Sequence, residues 1–508
     1  MAAVVTDQFR VLNAGNFVDS VLNENNSYYA FVGLANPTTI GFGRTTTWND
    51  ENDTAKNPID NLSYLSHYKE TAFFGKKITS SSVRRVVRKV TWTANTKYDM
   101  YRHDYSSINT TPNSGLSRLY DSNFYVVNSD FRVYICIDNG SSVDLPEGKV
   151  SEVEPIFTDL EPTTLSDGFV WKYLFSIPPS DIIKFDSTEY IVIPNDWGTS
   201  TDPQIQSVRE AGNSDVNLNQ IKKVYVEDSG TGYIVNKESV CNIYGDGTGG
   251  KALVKISSEG KVESVKITSG GSGYTYAYLD LNPVRPSGHN GTKAKLIPII
   301  PPSKGHGYDI YTELGADRVL IYARFDDSTR DFPTNSKFAQ VGILKNPQEF
   351  GGSSIFTENQ FSSLYALKVT PDNTIAPVIG EKIEGSSTDV VGYIASYDSD
   401  TQILKYYVDR SLSFYNKLDS RDNDSNVKIV SFSQSDTIST PGGSGFSAGI
   451  STFSGSVFNG INLGVTFENG VANPEINRKT GDVIYIDNRT LVTRDSRQKE
   501  DIKIILEF

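Results

Sequence analysis

The sequence predicts a mainly β protein with some α structure (α+β), in which several domains comprise a β-sandwich-like core and small all-β inserts. Composition is the first reason: 28 Tyr, 25 Phe and 41 Gly occur beside 2 Met and 4 Trp, a balance that suits strands and tight turns better than helical bundles. Patterning is the second, because short apolar stretches alternate with turn-forming residues along most of the chain. Length is the third, since 508 residues suit about three domains.

Residues 1–205 are predicted to form the first part of the core. A short helix is expected near the beginning of the chain, and strand-like segments start at Tyr28. The segment from 170 to 176 carries apolar side chains on both of its alternating faces, which predicts a strand buried on both sides before Pro178 and Pro179 end it. The side chains expected in this structural core are Trp48, Trp171, Tyr173, Phe175 and Tyr190.

Residues 220–300 are predicted to be an all-β insert with two repeats. The segment VYVEDSGTGY, from Val224 to Tyr233, recurs 41 residues later as VKITSGGSGY, from Val265 to Tyr274. Each repeat joins short strands through glycine turns, so we expect two similar halves that bury one shared apolar face. Packing beside the turns is the favoured role for the tyrosines of this region, and carbohydrate binding is the alternative; they are Tyr233, Tyr274, Tyr276 and Tyr278.

The rest of the chain is predicted to return to the core twice. Residues 302–368 form its second part, and residues 370–430 form a small β-barrel-like insert of alternating segments and polar turns. Residues 431–475 are rich in Ser and Gly and poor in apolar surface, which predicts either a mobile arm or an extended segment ordered by a partner. The C-terminal strands within 478–508 are expected to dock in the core, because an apolar free tail would be a liability.

The charge of the chain argues against two classes of partner. The formal net charge is −13, so the chain lacks a general phosphate-neutralising surface, and neither nucleic acid nor a membrane is an expected partner. One basic run, formed by Arg84, Arg85, Arg88 and Lys89, alternates with valines. A strand with a charged outer face is favoured over a polyanion site as the explanation of this run.

Cysteine usage and the start of the chain indicate where the protein is made. Cys136 and Cys241 lie far apart and have no neighbouring cysteine or histidine cluster, which is typical of a reducing compartment. The first residues lack the charged and apolar regions of a secretory leader. We therefore expect synthesis in a cytoplasm.

Motifs that could carry catalysis or ligand binding fail in their context. Gly245, Gly247 and Gly250 have the spacing of a dinucleotide-binding loop, but strand-like residues follow them and a turn is favoured. Residues 422–426 begin like a calcium loop but lack its glycine and its closing glutamate. The four histidines are not at zinc-ligand spacing; they are His67, His103, His289 and His306. We therefore expect no enzyme activity, no cofactor and no metal site.

Two neighbouring segments carry a family resemblance. DGFVWKYLFSIPP at 167–179 and STEYIVIP at 187–194 resemble the baseplate wedge subunit that gene eight encodes in contractile-tailed bacteriophages, the myophages. Further stretches with family similarity occur in order along the whole chain. They are FGRTTTW at 42–48, VYICIDN at 133–139, FAQVGILKNP at 338–347, and the ending from GDVIYIDNR to IKIILEF. The repeat insert and the segment from about 370 to 475 depart from the shorter family pattern.

The resemblance implies a structural component of a phage tail baseplate wedge, which links neighbouring wedge proteins during assembly and tail contraction. Its implied location is the virion, after synthesis in the host cytoplasm. The implied partners are a second copy of the chain, other baseplate wedge proteins and tail fibre attachment proteins. A receptor- or glycan-binding tail fibre protein is the alternative function.

Overall fold

A computed structural model describes residues 5–33, 57–58, 60, 65, 68–69, 71–213, 219–325, 337–388, 390–408, 431–493 and 498–508. Strands predominate over helices and are arranged in several sheets, so the prediction of a mainly β, multidomain fold is confirmed. Trp48 and the calcium-loop-like residues 422–426 lie outside the described residues.

The helices are α1 (Asp7–Leu22), α2 (Pro179–Phe185), α3 (Pro203–Asn213) and α4 (Ile310–Leu314), with 3-10 turns at Leu119–Asp121 and Asn282–Val284. The strands, in chain order, are β1 Tyr28–Gly33, β2 Ala72–Lys77, β3 Val83–Arg88, β4 Tyr125–Val127, β5 Arg132–Asp138, β6 Thr163–Thr164, β7 Val170–Ser176, β8 Tyr190–Ile193, β9 Val224–Asp228, β10 Glu238–Gly245, β11 Thr248–Ile256, β12 Val262–Ser272, β13 Ala277–Leu279, β14 Lys295–Pro298, β15 Arg318–Phe325, β16 Lys337–Lys345, β17 Gln348–Glu349, β18 Gln360–Ser362, β19 Tyr365–Pro371, β20 Lys382–Gly385, β21 Val391–Asp398, β22 Ile403–Tyr407, β23 Thr437–Ser439, β24 Ser447–Ile450, β25 Gly455–Phe458, β26 Ile461–Phe467, β27 Val471–Ala472, β28 Ile476–Asn477, β29 Asp482–Thr493 and β30 Glu500–Glu507.

The chain divides into two compact units that do not follow the predicted segments. Unit 1 comprises Met1–Val18, Arg84–Leu320 and Ile505–Phe508, and unit 2 comprises Asp19–Val83 and Ile321–Ile504. Strand pairing explains why unit 2 already begins at Asp19. β1 pairs antiparallel with β16, more than three hundred residues later, and β16 pairs with β29 near the end of the chain. Residues 19–83 are therefore grouped with the second half of the chain instead of with residues 84–205.

Unit 1 contains two four-stranded antiparallel sheets, of order β4-β5-β7-β6 and β12-β11-β10-β13. The first sheet holds the segment in which both faces were predicted to be buried. In β7 the five residues from Trp171 to Phe175 are all buried, and both end residues are partly or fully exposed. Trp171 stacks on the ring of Phe169, with centroids 5.5 Å apart, and meets Tyr98 edge-on at 5.7 Å.

Three of the expected core aromatics, Trp171, Tyr173 and Phe175, are at most 2% exposed. Tyr190, at the start of β8, is only partly buried, and the guanidinium of Arg318 lies 5.8 Å from its ring centre. The sequence did not predict that Lys172, between Trp171 and Tyr173, is also buried. Its ammonium donates to the carbonyl oxygen of Leu160 at 2.6 Å, and burial lowers its pKa.

The repeat insert is built by exchange of strands between its two halves. β9 of the first repeat pairs with β14 of the second, and β12 of the second repeat pairs with β11 of the first. The equivalent tyrosines follow the same exchange: the hydroxyl of Tyr233 accepts from the N–H of Ala294, and the hydroxyl of Tyr274 accepts from the N–H of Gly250. One hydrophobic core contains side chains from both halves.

Unit 2 contains a five-stranded sheet of order β18-β2-β1-β16-β29 and a sheet of order β22-β21-β20-β23-β24-β19-β27. In the second sheet an additional pairing of β22 with β19 joins six strands into a closed ring. The side chains inside include those of Leu367, Ile394, Leu404, Ile438 and Phe446, each at most 1% exposed.

This ring corrects the predicted arm at 431–475 and the limits of the predicted barrel-like insert at 370–430. β23 and β24, from the Ser/Gly-rich stretch, are members of the ring, and β19 begins before residue 370. Ile438, Phe446 and Ala448 are buried because strands β19 to β22 supply the apolar surface that the stretch lacks by itself. Residues 437–450 therefore form part of the barrel and not a separate arm.

Replacing Trp171 with alanine should lower the free energy of unfolding by about 3–5 kcal/mol, because a fully buried indole leaves a cavity and loses its ring contacts. Urea denaturation of the purified chain measures this effect. Ile183→Ala is the matched control, since that side chain is 80% exposed and its removal should change stability by no more than about 0.5 kcal/mol. Equal effects of the two substitutions would contradict the burial of Trp171.

Candidate interaction surface

Three of the four basic residues on and just after β3 bind acceptors of the same chain, and the fourth, Arg85, lies over the ring of Tyr311 at 3.8 Å. Arg84 makes a bidentate ion pair with Asp181 of α2, at 2.8 and 3.0 Å, and Lys89, just after β3, pairs with Asp186 at 2.7 Å. Arg88 donates at 2.8 Å to two backbone carbonyl oxygens of the turn before β4. These cations fix α2 and the turn against β3, and the side chains of Arg84 and Lys89 are only 19% and 17% exposed.

A buried histidine and glutamate fix the loop before α4. Nδ1 of His306 lies 2.5 Å from one carboxylate oxygen of Glu313, and the N–H of Gly307 donates to the other at 2.7 Å. Tyr101 meets the imidazole edge-on at 4.8 Å, and burial together with the charge of Glu313 raises the pKa of Tyr101. The sequence placed His306 in an ordinary polar turn; the signal it missed was the acidic residue seven positions later.

The glycine-rich motif is a hairpin turn. Gly245 ends β10, Gly247 lies in the turn, and Gly250 lies in β11, so a strand follows the glycines where a nucleotide site needs a helix. Asp246 accepts hydrogen bonds from the hydroxyl and the N–H of Thr275 and from the N–H of Tyr276, and these bonds lower its pKa to about 2. The turn interpretation is confirmed.

His103 and His289 each make a hydrogen bond to a backbone group of a residue distant in sequence. Nδ1 of His103 accepts from the N–H of Ile300 at 3.2 Å, and Nε2 of His289 lies 2.9 Å from the carbonyl oxygen of Thr231; His67 lies outside the described residues. Within the described ranges, no three His, Cys, Asp or Glu side chains are grouped as metal ligands. In the same part of the chain no helix has the length and hydrophobicity to cross a membrane.

The tyrosines of the insert separate into two classes. Tyr233 and Tyr274, which are equivalent in the repeat, are at most 5% exposed and belong to the hydrophobic core. Tyr276 and Tyr278 are 60% and 57% exposed, and Tyr244 of β10 is 45% exposed. Tyr244 is the register partner of Tyr278, and their ring centroids are 5.9 Å apart. An aromatic patch therefore lies on the outer face of the sheet β12-β11-β10-β13; we call this face the tyrosine face.

A second apolar surface lies on α1. Val11, Ala14 and Val18 are buried on one side of the helix, whereas Phe9 and Leu12 are 52% and 58% exposed on another. Val5, which precedes the helix, is 53% exposed. Phe9 and Leu12 are three residues apart and lie on one side of the helix, and Val5 lies just before the helix begins. We call this surface the α1 stripe.

Comparison with known families matches one region of the chain. The family model described as Phage-Gp8: Bacteriophage T4, Gp8 matches residues 138–225. That region contains β6, β7, α2, β8 and α3, and with them both segments that carried the resemblance in the sequence, so the resemblance is confirmed. No protein among the curated proteins matches the chain.

Removing the Glu313 carboxylate should destabilise the protein by about 1–3 kcal/mol or more, because Glu313→Ala leaves the N–H of Gly307 and the imidazole of His306 without their acceptor in a buried place. Thermal or urea unfolding measures the loss. The control is Glu259→Ala, since the Glu259 side chain is 71% exposed in its ion pair with Lys261 and contributes about 0–1 kcal/mol. A loss no larger than that of the control would show that the buried pair is not a structural contact.

Proposed function

We propose that this chain, which carries a region similar to the Gp8 family of bacteriophage T4, is a structural subunit of a phage tail baseplate wedge. It links neighbouring wedge proteins during assembly and during tail contraction, and it acts by assembly and not by catalysis. The observation that carries the proposal is the family match at residues 138–225, a region that contains strand β7 with its five consecutive buried residues. The proposed location is the tail of the virion, after synthesis in the host cytoplasm.

Contacts in and around this region support a structural role. Several charged side chains near β3, α2 and the loop before α4 bind partners in the same chain, as in the pairs Arg84–Asp181 and His306–Glu313. Groups held in this way are positioned by several elements at once, which makes the surface around them rigid. Rigidity suits a subunit that must hold its neighbours in a defined geometry.

Electron cryomicroscopy of tails from the phage that encodes this chain tests the location. The chain should occupy density in the baseplate wedge, in contact with other baseplate proteins. Density for the chain at the tip of a tail fibre would contradict the proposal and support the receptor-binding alternative.

We also propose that the α1 stripe contacts a second copy of the chain. Two exposed apolar side chains of α1, Phe9 and Leu12, together with Val5 just before the helix, form a surface that a monomer leaves in contact with water. Pairing through a twofold axis would cover the same surface on both copies in one interface. Other wedge proteins and tail fibre attachment proteins would then bind elsewhere on the dimer.

We also propose that residues 220–300 fold as one module. The two halves of the insert exchange strands, and a tyrosine of each half accepts a hydrogen bond from the other half. Each half lacks the strand and the hydrogen-bond donor that the other half supplies, so neither half should fold alone. A fragment of residues 219–301 should give a β-type circular dichroism spectrum and unfold cooperatively, whereas a fragment of residues 219–258 should be unstructured. A structured half would contradict the exchange.

Sedimentation velocity of the purified chain should show a dimer at micromolar concentration. The double substitution Phe9→Ser and Leu12→Ser should shift the protein to monomer and leave its circular dichroism spectrum that of the folded chain, since both side chains are exposed. Ile183→Ser, which also removes an exposed apolar side chain, should leave the dimer intact. A wild-type monomer, or a double variant that still dimerises, would exclude the α1 stripe as the contact.

A further inference from the structure

We propose that the tyrosine face of the insert binds an acidic polysaccharide, with sugar rings stacked on the exposed tyrosines and carboxylates held by neighbouring lysines. The proposal goes beyond the wedge function and does not rest on it, because it concerns the sheet β12-β11-β10-β13, all of which lies after the region matched by the family model. One face of that sheet is packed into the core of the insert, and the other is exposed.

The backbone that carries the aromatic half of the face is held in place before any ligand arrives. Tyr244 and Tyr278 lie opposite each other on paired strands, and Tyr276 precedes Tyr278 by two residues, about 7 Å along the chain. The carboxylate of Asp246 fixes the backbone at Tyr276, because it accepts a hydrogen bond from the N–H of Tyr276. Gly245 permits the close approach of this segment, since a Cβ at that position would lie 2.1 Å from the carbonyl oxygen of Tyr276. Little backbone entropy therefore remains to be lost when a ligand stacks on these rings.

The polar half lies on the adjacent strands. Asn242 of β10 is exposed beside Tyr244 and is the register partner of Lys251 of β11. Lys266 of β12 is exposed opposite Leu253, on the same face. Within the described part of the chain neither Lys251 nor Lys266 forms an ion pair, in contrast with Lys255, which pairs with Glu263 at 2.8 Å. Two unpaired ammonium groups next to an aromatic patch complement an anion, in a chain whose net charge is −13.

The combination favours a charged sugar polymer over the other anions. A pyranose ring has an apolar C–H face that can lie on a tyrosine ring, while its hydroxyl groups can reach the amide of Asn242 and the phenolic oxygens. Uronic acid units add carboxylates within reach of the lysines. The face is open and flat, as the outer side of a sheet, so it can take an internal stretch of a long chain and does not need a free chain end.

The test uses the full-length chain and three probes: alginate, which is a polyuronate; dextran, which is a neutral polysaccharide; and poly-L-glutamate, which is acidic but has no sugar rings. Affinity should be highest for alginate, at least about tenfold above that for dextran or poly-L-glutamate, and it should fall as salt is added. The double variant Tyr276→Ala with Tyr278→Ala should bind alginate about tenfold more weakly. The double variant Lys251→Gln with Lys266→Gln should also bind more weakly and should lose most of the salt dependence.

Lys295→Gln is the matched control, because the Lys295 side chain is 64% exposed on β14 of the same insert, and it should bind alginate like the wild type. All variants should keep the wild-type unfolding midpoint, since they change exposed side chains. Absence of alginate binding by the wild-type chain would overturn the proposal, and so would undiminished binding by the tyrosine variant. Equal affinity for poly-L-glutamate would overturn it too and would point to an acidic protein as the partner.

Discussion

Strands in this protein pair with strands that are distant in sequence, and the stability of each part depends on that constraint. β1 pairs with β16, the six-stranded ring is closed by β23 and β24, and the halves of the insert exchange strands. A segment cut from its distant partner would leave the N–H and C=O groups of a strand edge unpaired. Long-range pairing also delays the gain in contacts until large loops have closed, so slow folding is the expected consequence.

Strand β7 shows how strictly such pairing is specified. Because the side-chain period of a strand is two, a shift of one residue would exchange the face of Trp171 and Tyr173 with the face of Lys172. The Lys172 ammonium would then lose the Leu160 carbonyl that accepts its hydrogen bond, and a buried cation without a partner costs several kcal/mol, on the order of the stability of a whole domain. The buried lysine therefore fixes the register of β7. Apolar side chains alone would specify this register less strictly, because both faces of the strand are buried. This is the region that the Gp8 family model matches.

The sequence was sufficient wherever local pattern decides structure, and it failed where distant partners decide. The strand at 170–176, the glycine turn at 245–250 and the repeat of the insert are all visible in alternation, turn residues or self-similarity. The Ser/Gly-rich stretch has the composition of an arm, yet Ile438 and Phe446 are buried because a barrel built mainly from residues 365–407 has room for them. The composition of a segment indicates how much apolar surface it can bury by itself. It does not indicate how much apolar surface other segments place around it. The His306–Glu313 pair could not be predicted for the same reason, because its structural role depends on burial by segments distant in sequence.

The two classes of tyrosine in the insert show why a surface is harder to predict than a core. Tyr274 and Tyr276 are separated by one residue in a single turn-and-strand segment, yet one is buried with its hydroxyl bonded to the backbone and the other is 60% exposed. The repeat in the sequence identifies the buried tyrosines. Each half needs a tyrosine whose hydroxyl accepts a hydrogen bond from the other half, so this tyrosine recurs in both. The second kind lies outside the recurring segments, so nothing in the fold requires an aromatic residue there. Substitution of a core tyrosine is opposed by the cavity it leaves, whereas substitution of an exposed one changes stability by only about 0.5 kcal/mol. The positions of the exposed tyrosines are therefore set less strictly by the core of the insert than those of Tyr233 and Tyr274.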